Sequence, residues 1–192
     1  RLLSTASVRQ QILVSFGIII AFNLAFSVIS YNQLNAVNNY AEEVVPISAQ
    51  IDETDQFADA VSALEVDLER YLVTANPQFE IESETNLVQA NNALQAMQDI
   101  NVEQTTTEVD ALEQDFKAFE NSVNELFALD FLALSANQKN QQIISIFSHL
   151  DDIRASEDKL GAKNVASLSN VSQKQQEIIA SFLTQFLVLN IV

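Results

Sequence analysis

Histidine and cysteine, common residues of catalytic and metal sites, are almost absent from this sequence. His149 is the only histidine and cysteine is absent, so a zinc site would need at least three carboxylates, a ligand set that structural zinc sites do not favour. His149 precedes Asp151 and Asp152, and a histidine beside carboxylates can act as a pH sensor. An ordinary surface histidine is the commoner case, and we expect one here.

An acidic string is the other candidate site. Asp52, Glu53, Asp55 and Asp59 offer the carboxylate oxygens that hard divalent cations bind. At helical spacing, however, these residues spread around the helix, and they lack the glycine turn of a calcium loop. Glycine occurs only at positions 17 and 161, which also excludes phosphate-binding glycine loops and nucleophile elbows. We therefore expect a solvated face, with no catalytic site, no metal site and no cofactor.

The net charge of −17 is concentrated in the middle of the chain. All 26 acids lie between Glu42 and Glu177, whereas Arg1 and Arg9 precede them. Proteins bind nucleic-acid phosphates through Lys and Arg, so this acidic surface excludes a nucleic-acid partner. Such a surface repels anions and favours a cationic signal or a basic partner, although acidic helices commonly serve solubility alone.

An uncharged stretch near the N-terminus predicts a membrane anchor. Ile12–Ile29 reads ILVSFGIIIAFNLAFSVI, without charge or proline, which is long enough for a tilted membrane-spanning helix. A secretory signal peptide is the alternative, but its apolar core is normally shorter and followed by a small-residue cleavage site. Because bases flank the stretch on its N-terminal side, we expect residues 1–11 in the cytoplasm, 12–30 in the membrane and 31–177 outside.

The C-terminal end carries a second apolar stretch. The sequence IIASFLTQFLVLNIV, from residue 178, has no charge, and we expect residues 178–192 to be the truncated start of a second membrane helix. The chain begins with Arg rather than Met, so we expect both ends to be cuts in a longer protein. The predicted location is the plasma (inner) membrane, crossed twice, with the acidic middle periplasmic or extracellular.

Long helices are predicted between these stretches, because two prolines and two glycines in 192 residues leave little to end a helix. We expect a first helix that Pro46 ends, a second to Ala75, a third over 77–98, breaks near 99–107 and 129–138, and a last helix to the C-terminus. Residues spaced four and three apart mark the predicted buried seams. The seams are Phe16, Ile20, Asn23, Ser27, Ser30, Leu34, Val37, Ala41 and Val44; Phe57, Val61, Leu64, Leu68, Tyr71 and Ala75; Leu87, Ala90, Leu94 and Met97; Val109, Leu112, Phe116, Phe119, Val123 and Leu126; Ile146, Leu150, Ile153 and Leu160; and Leu168, Val171, Ile178 and Phe182.

The predicted fold class is all-α. Short connections between long amphipathic helices indicate an elongated, antiparallel (up-and-down) four-helix bundle, continuous with the flanking membrane helices. Leu160, Asn164 and Leu168 are spaced four and four, the spacing of a stutter that locally unwinds a coiled coil. The last helix is thus expected to continue from the bundle into the membrane.

Two polar residues of the predicted membrane helix lie on its seam. Polar side chains in lipid tend to face another helix, where an amide pairs with its counterpart or with a hydroxyl. We expect Asn23 and Ser27 to set the packing of the membrane helices in a homodimer. The alternative is a tolerated asparagine with little consequence.

Residues 65–79, EVDLERYLVTANPQF, resemble a known motif. It belongs to extracellular sensory domains of the CHASE type, third subclass, with the approximate pattern Glu-Thr-Gly-x-Arg-Gly-Tyr-Leu-Leu-Thr-Gly-x-Pro-x-Phe. The pair Glu69-Arg70 replaces its Arg-Gly, and Ala75 replaces its later Gly. The matching positions are Glu65, Tyr71, Leu72, Thr74, Pro77 and Phe79.

The resemblance extends more loosely over most of the chain, including Val45-Pro46 and the stretch LDDIR at residues 150–154. The chain is also similar, at a coarser level, to the four-helix-bundle ligand-binding domain of methyl-accepting chemotaxis receptors. Both resemblances imply an extracytoplasmic bundle in a dimeric receptor for an unknown ligand or partner protein. If a small-molecule site exists, the motif residues Glu65, Tyr71, Thr74 and Phe79 are its expected contacts.

The two families differ in the segments that come after the second membrane helix. The first implies a HAMP linker and a histidine kinase or diguanylate cyclase, whereas the second implies a HAMP linker and a chemotaxis signalling hairpin. We expect the sensory segment of a sensor histidine kinase of a two-component system. A chemoreceptor is the alternative, and a membrane-anchored structural protein without signalling output is the third class.

Overall fold

The computed structural model describes residues 8–129 and 133–191. The predicted N-terminal flank up to residue 7, positions 130–132 of the predicted second break, and Val192 lie outside the described residues. The described chain forms helices α1 (Val8–Thr74), α2 (Pro77–Ile100), α3 (Thr106–Ala128) and α4 (Ala136–Ile191), with a 3₁₀ turn at Glu103–Thr105 and no strand. The predicted all-α fold is confirmed.

Helix α1 runs through Pro46, so the prediction that this residue ends the first helix is wrong. A proline in a helix interior removes one backbone hydrogen bond and costs about 3 kcal/mol. The next residues of the helix offset this cost, because Ile47, Gln50, Thr54 and Phe57 are all buried at helical spacing. Burial of this face thus keeps the chain helical.

The connection between α1 and α2 is a two-residue turn. Ala75 adopts φ 50°, and its N–H donates to the carbonyl of Tyr71 at 2.7 Å, which closes α1. Asn76 then caps α2, since its Oδ1 accepts the N–H of Gln78 at 3.1 Å. Pro77 fits the first position of α2, where no N–H is needed.

The connection between α2 and α3 also begins with a left-handed residue. Asn101 has φ 49° at the end of α2, a conformation that asparagine adopts more readily than most residues. The 3₁₀ turn comes next, with the N–H of Thr105 donating to the carbonyl of Val102 at 2.9 Å. The predicted break at 99–107 is confirmed.

The chain divides into two compact units. The first, which we call the bundle, is Val44–Asn170 and contains the later part of α1, all of α2 and α3, and the first part of α4. Its core confirms the predicted seams of these four helices: their residues within the bundle are buried, except Val44, Ala75 and Leu168, which are half-buried. Of the seam residues beyond the bundle on α4, Val171 is buried, Phe182 half-buried and Ile178 exposed. The largest fully buried side chains are Phe57, Phe116, Phe119, Leu64, Leu68, Met97, Leu112, Leu126, Ile146, Leu150, Ile153 and Leu160.

Contacts between neighbouring helices of the bundle show their directions. Between α1 and α2, Thr54 contacts Met97 and Asp67 contacts Asn86. Residue numbers therefore increase along α1 in the direction in which they decrease along α2. The same holds between α3 and α4. There Glu108 pairs with Lys163 at 3.8 Å, and Asp115 accepts a hydrogen bond from Ser156 at 2.5 Å. The helices of both pairs, α1 with α2 and α3 with α4, are therefore antiparallel, as predicted.

The second unit, which we call the helix pair, consists of the described parts of Arg1–Glu43 and Val171–Val192. Lys174 Nζ lies 3.4 Å from a Glu43 carboxylate oxygen, and the rings of Phe26 and Phe186 meet edge-on with centroids 6.4 Å apart. The two helices are antiparallel. Of the described helices, only α1 is long and apolar enough to cross a membrane, and none of its apolar window is buried.

The face of α1 that packs in the helix pair differs from the predicted seam. Ala25, Ile29, Gln33, Ala36 and Tyr40 are half-buried. The predicted seam is exposed instead, including Phe16, Leu34 and Val37 at 62%, 61% and 55%. Both faces have helical spacing, so sequence spacing alone does not choose between them. An apolar stripe is left uncovered on the helix pair.

Candidate functional site

Tyr71, a residue of the predicted motif at 65–79, lies in the core. It is buried on α1, and its ring meets that of Phe127 on α3 edge-on, with centroids 5.2 Å apart and planes at 87°. Aromatic pairs of this geometry stabilise a fold beyond their buried area. Tyr71 thus holds α1 and α3 together at this end of the bundle.

Phe79 lies at the edge of the same core. It is half-buried, and the Arg70 guanidinium carbon is 5.6 Å from the centroid of its ring, within the range of a cation–π interaction. Arg70 also lies 3.7 Å from the carboxylate of Asp67. Asp67 is buried and accepts a hydrogen bond from the Asn86 amide at 2.9 Å. These contacts fix the start of α2 against the end of α1.

Thr74 and Ala75 form the turn itself. The Thr74 hydroxyl donates to the carbonyl of Arg70 at 2.7 Å and accepts the N–H of Asn76 at 3.3 Å. Ala75 is left-handed, with φ 50°, a conformation that glycine adopts without steric cost. A glycine at this position would form the same turn without that steric cost.

Glu65 pairs with Arg154, a residue of the second stretch that carries the resemblance. The Arg154 guanidinium donates a hydrogen bond to the Glu65 carboxylate, and Arg154 also lies 3.8 Å from Asp151. Glu65 is largely shielded by the bundle, whereas Arg154 is half-exposed. The two stretches therefore meet across α1 and α4.

One of the four predicted ligand contacts, Thr74, lines an open groove. A groove of 330 Å³ between the end of α1 and the start of α4 is lined by Thr74, together with Val73 and Lys139 among others. Glu65, Tyr71 and Phe79 do not line it. Tyr71 and Phe79 pack between helices and Thr74 forms the turn, and the role of the four residues as ligand contacts stays a prediction.

Burial raises the pKa of Glu157 on α4, and the neighbouring charges of Asp158 and Asp55 raise it further, against the opposing effect of Arg154. On α3, by contrast, the pKa of Glu113 is lowered. A hydrogen bond from Lys117 lowers its pKa, opposed by partial burial. Glu157 is therefore a carboxylate that its surroundings push toward the neutral form.

The other residues singled out for chemistry are dispersed. His149 is half-buried, with Nδ1 4.0 Å from the carboxylate of Asp152 one turn later on α4. Asp52, Asp55 and Asp59 are exposed on α1. Within the described residues, no three histidines, cysteines or carboxylates are grouped as metal ligands.

The bundle also buries polar side chains, of which Gln50 was not predicted and Asn164 was predicted only as part of the stutter. Gln50 is buried, and its amide oxygen accepts the hydroxyl of Thr105 at 2.6 Å. Asn164 on α4 is 1% exposed, with neither amide atom hydrogen-bonded in the described structure. Gln50 and Thr54 do continue the spacing of the seam that starts at Phe57, so extending that seam toward the N-terminus would have found them.

In the predicted membrane helix, both polar side chains bond to their own helix. The Asn23 amide donates to the carbonyl of Ile19 at 2.9 Å, and the Ser27 hydroxyl donates to the carbonyl of Asn23 at 2.8 Å. Both residues are exposed. Their expected role between two copies of the chain stays a prediction.

The chain was compared with protein families, curated proteins and solved structures, and no match was found.

Proposed function

We propose that this chain is the sensory segment of a transmembrane signalling receptor. The observation that carries the proposal is the continuity of α1, which is one helix from Val8 to Thr74 and belongs first to the helix pair and then to the bundle. Its first part is apolar and exposed, as a lipid-facing helix must be. Its last part supplies the core of an acidic bundle.

Helix α4 provides the route by which a signal leaves the bundle. It is continuous over Ala136–Ile191 and, like α1, belongs to both units. A ligand or partner that favours one packing of the bundle shifts the populations of its conformations. Translation or rotation of a continuous helix by a small amount then carries that shift into the membrane.

Two features of the bundle support a sensory domain of the CHASE type. The left-handed Ala75 stands where the motif has glycine, and Glu65 of the motif pairs with Arg154 of the other resembling stretch. We propose a sensor histidine kinase with a HAMP linker as the whole protein. A chemoreceptor, which scaffolds a separate kinase, is the second candidate because a four-helix bundle serves both families.

Insertions in α4 after Ser172 test the proposed transmission in the full-length receptor. Two added residues rotate the helix beyond them by about 200° against the bundle, whereas seven added residues return it to within about 20° of its original phase. We expect the two-residue insert to misregulate output and the seven-residue insert to retain regulation. Normal regulation in both would refute the proposal.

The same experiment separates the two candidate outputs when two phosphorylation assays are used. Receptor membranes with labelled ATP alone detect autophosphorylation, as expected for a histidine kinase. Membranes supplemented with a chemotaxis kinase and its coupling protein detect control of a separate enzyme. A phase-dependent signal only in the second assay would replace the kinase proposal with the chemoreceptor.

Labelling of single cysteines tests the proposed topology. The chain has no cysteine of its own, and both Arg9 and Glu84 are exposed. In intact cells with a permeable outer envelope, a maleimide that does not cross the inner membrane should label Glu84→Cys and leave Arg9→Cys unlabelled. Detergent should expose both. Labelling of Arg9→Cys before detergent would contradict a cytoplasmic N-terminus.

A further inference from the structure

A cavity of 170 Å³ lies at the α2–α3 connection of the bundle. Its floor is formed by the side chains of Gln50 from α1, Met97 from α2, Val102 from the connection and Val109 from α3, all of them buried. Three of the four are apolar. The floor therefore suits a hydrocarbon body rather than a strongly hydrated group.

The floor is held in place by hydrogen bonds that do not fill the cavity. The Thr54 hydroxyl lies 3.4 Å from the sulfur of Met97, and the Gln50 amide oxygen accepts the hydroxyl of Thr105. Asn101 closes one side in its left-handed conformation. Because the side chains of the floor are already ordered, ligand binding costs little of their conformational entropy.

The rim is polar and carries one charge. Gln98, Asn101, Thr106 and Asp110 line it and are exposed. In the described part of the chain no Lys or Arg pairs with the Asp110 carboxylate within 4.0 Å. A cationic ligand at the rim would thus gain a carboxylate partner, in a chain whose net charge of −17 repels anions.

The volume and lining of the cavity limit the kinds of ligand that it can bind. An apolar cavity of about 150 Å³ accommodates benzene, so this one takes a molecule of about six to nine non-hydrogen atoms. Aromatic rings, which cage quaternary ammonium groups, are absent from its lining. The carboxylate, amide oxygens and hydroxyl of the rim instead suit a primary ammonium, which has three donors.

We propose that this cavity binds a small primary amine, with its apolar body against Met97, Val102 and Val109 and its ammonium group at Asp110. The site deepens the proposed function, because the amine would be the signal that the bundle detects. It lies where α1, α2 and α3 meet. An occupant there contacts three of the four helices whose packing is proposed to set the output.

Binding of 4-fluorobenzylamine to the 192-residue chain in zwitterionic nanodiscs, followed by fluorine NMR, tests the site. Asp110→Asn should weaken binding about fivefold, as expected for a partly exposed ion pair. Asp99→Asn is the matched control, since Asp99 is exposed at the same end of α2 and does not line the cavity. It should leave binding unchanged. Gln98→Trp, at the exposed rim, should block the cavity and abolish binding.

Neutral and anionic probes complete the test. 4-Fluorobenzyl alcohol should bind more weakly than the amine, and 4-fluorobenzoate should not bind. Equal losses in Asp110→Asn and Asp99→Asn would show diffuse attraction of a cation to an acidic protein and overturn the proposal. Undiminished binding in Gln98→Trp, or an alcohol that binds as tightly as the amine, would overturn it too.

The amine site and the proposed function can fail separately. Specific amine binding together with normal regulation in the two-residue insert at Ser172 would leave the site and refute transmission through α4. Phase-dependent output without specific amine binding would leave the receptor and refute the site. An amine that binds at Asp110 and alters output of the full-length receptor, but not of its Asp110→Asn variant, would support both.

Discussion

The ring of Tyr71 stands edge-on to the ring of Phe127, with centroids 5.2 Å apart and planes at 87°. Tyr71 is on α1 and Phe127 on α3, so this pair joins two helices that are not consecutive. The tyrosine is also the centre of the motif that resembles sensory domains. Its position in the core means that the motif specifies how one end of the bundle is built.

Replacement of Tyr71 by Ala should destabilise the bundle by about 3 kcal/mol, because it removes a buried ring and leaves a cavity. Denaturant unfolding in detergent, followed by circular dichroism, measures the change. Val73→Ala is the matched control two residues away, since Val73 is 86% exposed. It should change the free energy of unfolding by less than about 0.5 kcal/mol. A Tyr71→Ala variant as stable as the control would contradict a core role.

Replacement of Ala75 by Gly should stabilise the protein by about 1 kcal/mol. The φ of 50° at Ala75 costs an L-residue about 1–2 kcal/mol, whereas glycine adopts it freely but loses more backbone entropy on folding. The opposite sign is expected for Ala63→Gly, an exposed position within α1, which should destabilise by about 1 kcal/mol. Thermal unfolding measures both, and destabilisation by Ala75→Gly would contradict the left-handed turn.

Replacement of Glu157 by Gln should stabilise the bundle at neutral pH. Burial raises the pKa of Glu157, so the folded state binds its proton more tightly than the unfolded state. Its ionised form therefore destabilises the fold above the folded-state pKa, and this penalty fades as the pH falls toward the ordinary value of 4.5. The advantage of Glu157→Gln should accordingly be present at pH 7 and vanish below the unfolded-state pKa.

Unfolding curves across this pH range check the prediction for Glu157. Glu125→Gln, at an exposed position on α3, makes the same change in net charge and corrects for relief of general repulsion. A gain in Glu157→Gln no larger than in Glu125→Gln, or one that grows in acid, would show that the local environment of Glu157 is not responsible.

A cysteine at position 34 should crosslink two copies of the chain. Leu34 belongs to the exposed apolar stripe of α1, and long helices cover such stripes by packing against a second copy. Ala36 is the control, because it is half-buried on the face that packs against α4. Under mild oxidation in membranes, we expect disulfide-linked dimers of Leu34→Cys and few of Ala36→Cys. Equal crosslinking of both would contradict a specific dimer contact.

The seams of α2 and α3 were predictable because their apolar residues repeat without interruption and nothing competes with them. The burial of Gln50 was not predicted because a polar side chain gives no hydropathy signal, although its spacing from Phe57 continues the seam. The end of a helix at Pro46 was predicted wrongly, because the local cost of a proline is visible in the sequence. The burial of the residues after Pro46, which keeps the helix continuous, is a tertiary effect. In the uncharged part of α1 every face is apolar, so packing against α4 chooses the contact face.

The candidate site was harder to predict than the fold. The motif located one end of the bundle, but the ring of Tyr71 is used for packing and that of Phe79 supports the start of α2. The cavity lined by Met97 lies in a gap between α1, α2 and α3. Such a gap depends on how side chains from distant parts of the chain fill space, and no spacing rule describes it.

Pro46 makes the two helices shared by both units mechanically unequal. Without an N–H at that position, α1 lacks the hydrogen bond that would return to the carbonyl of Glu42. The chain's other proline is Pro77, so α4 has none. No proline therefore interrupts the backbone hydrogen bonds of α4, whereas α1 lacks one of them at Pro46, three residues beyond the last residue of its first unit. A sideways force on this part of α1 would therefore meet less resistance at Pro46 than at neighbouring turns whose hydrogen bonds are complete.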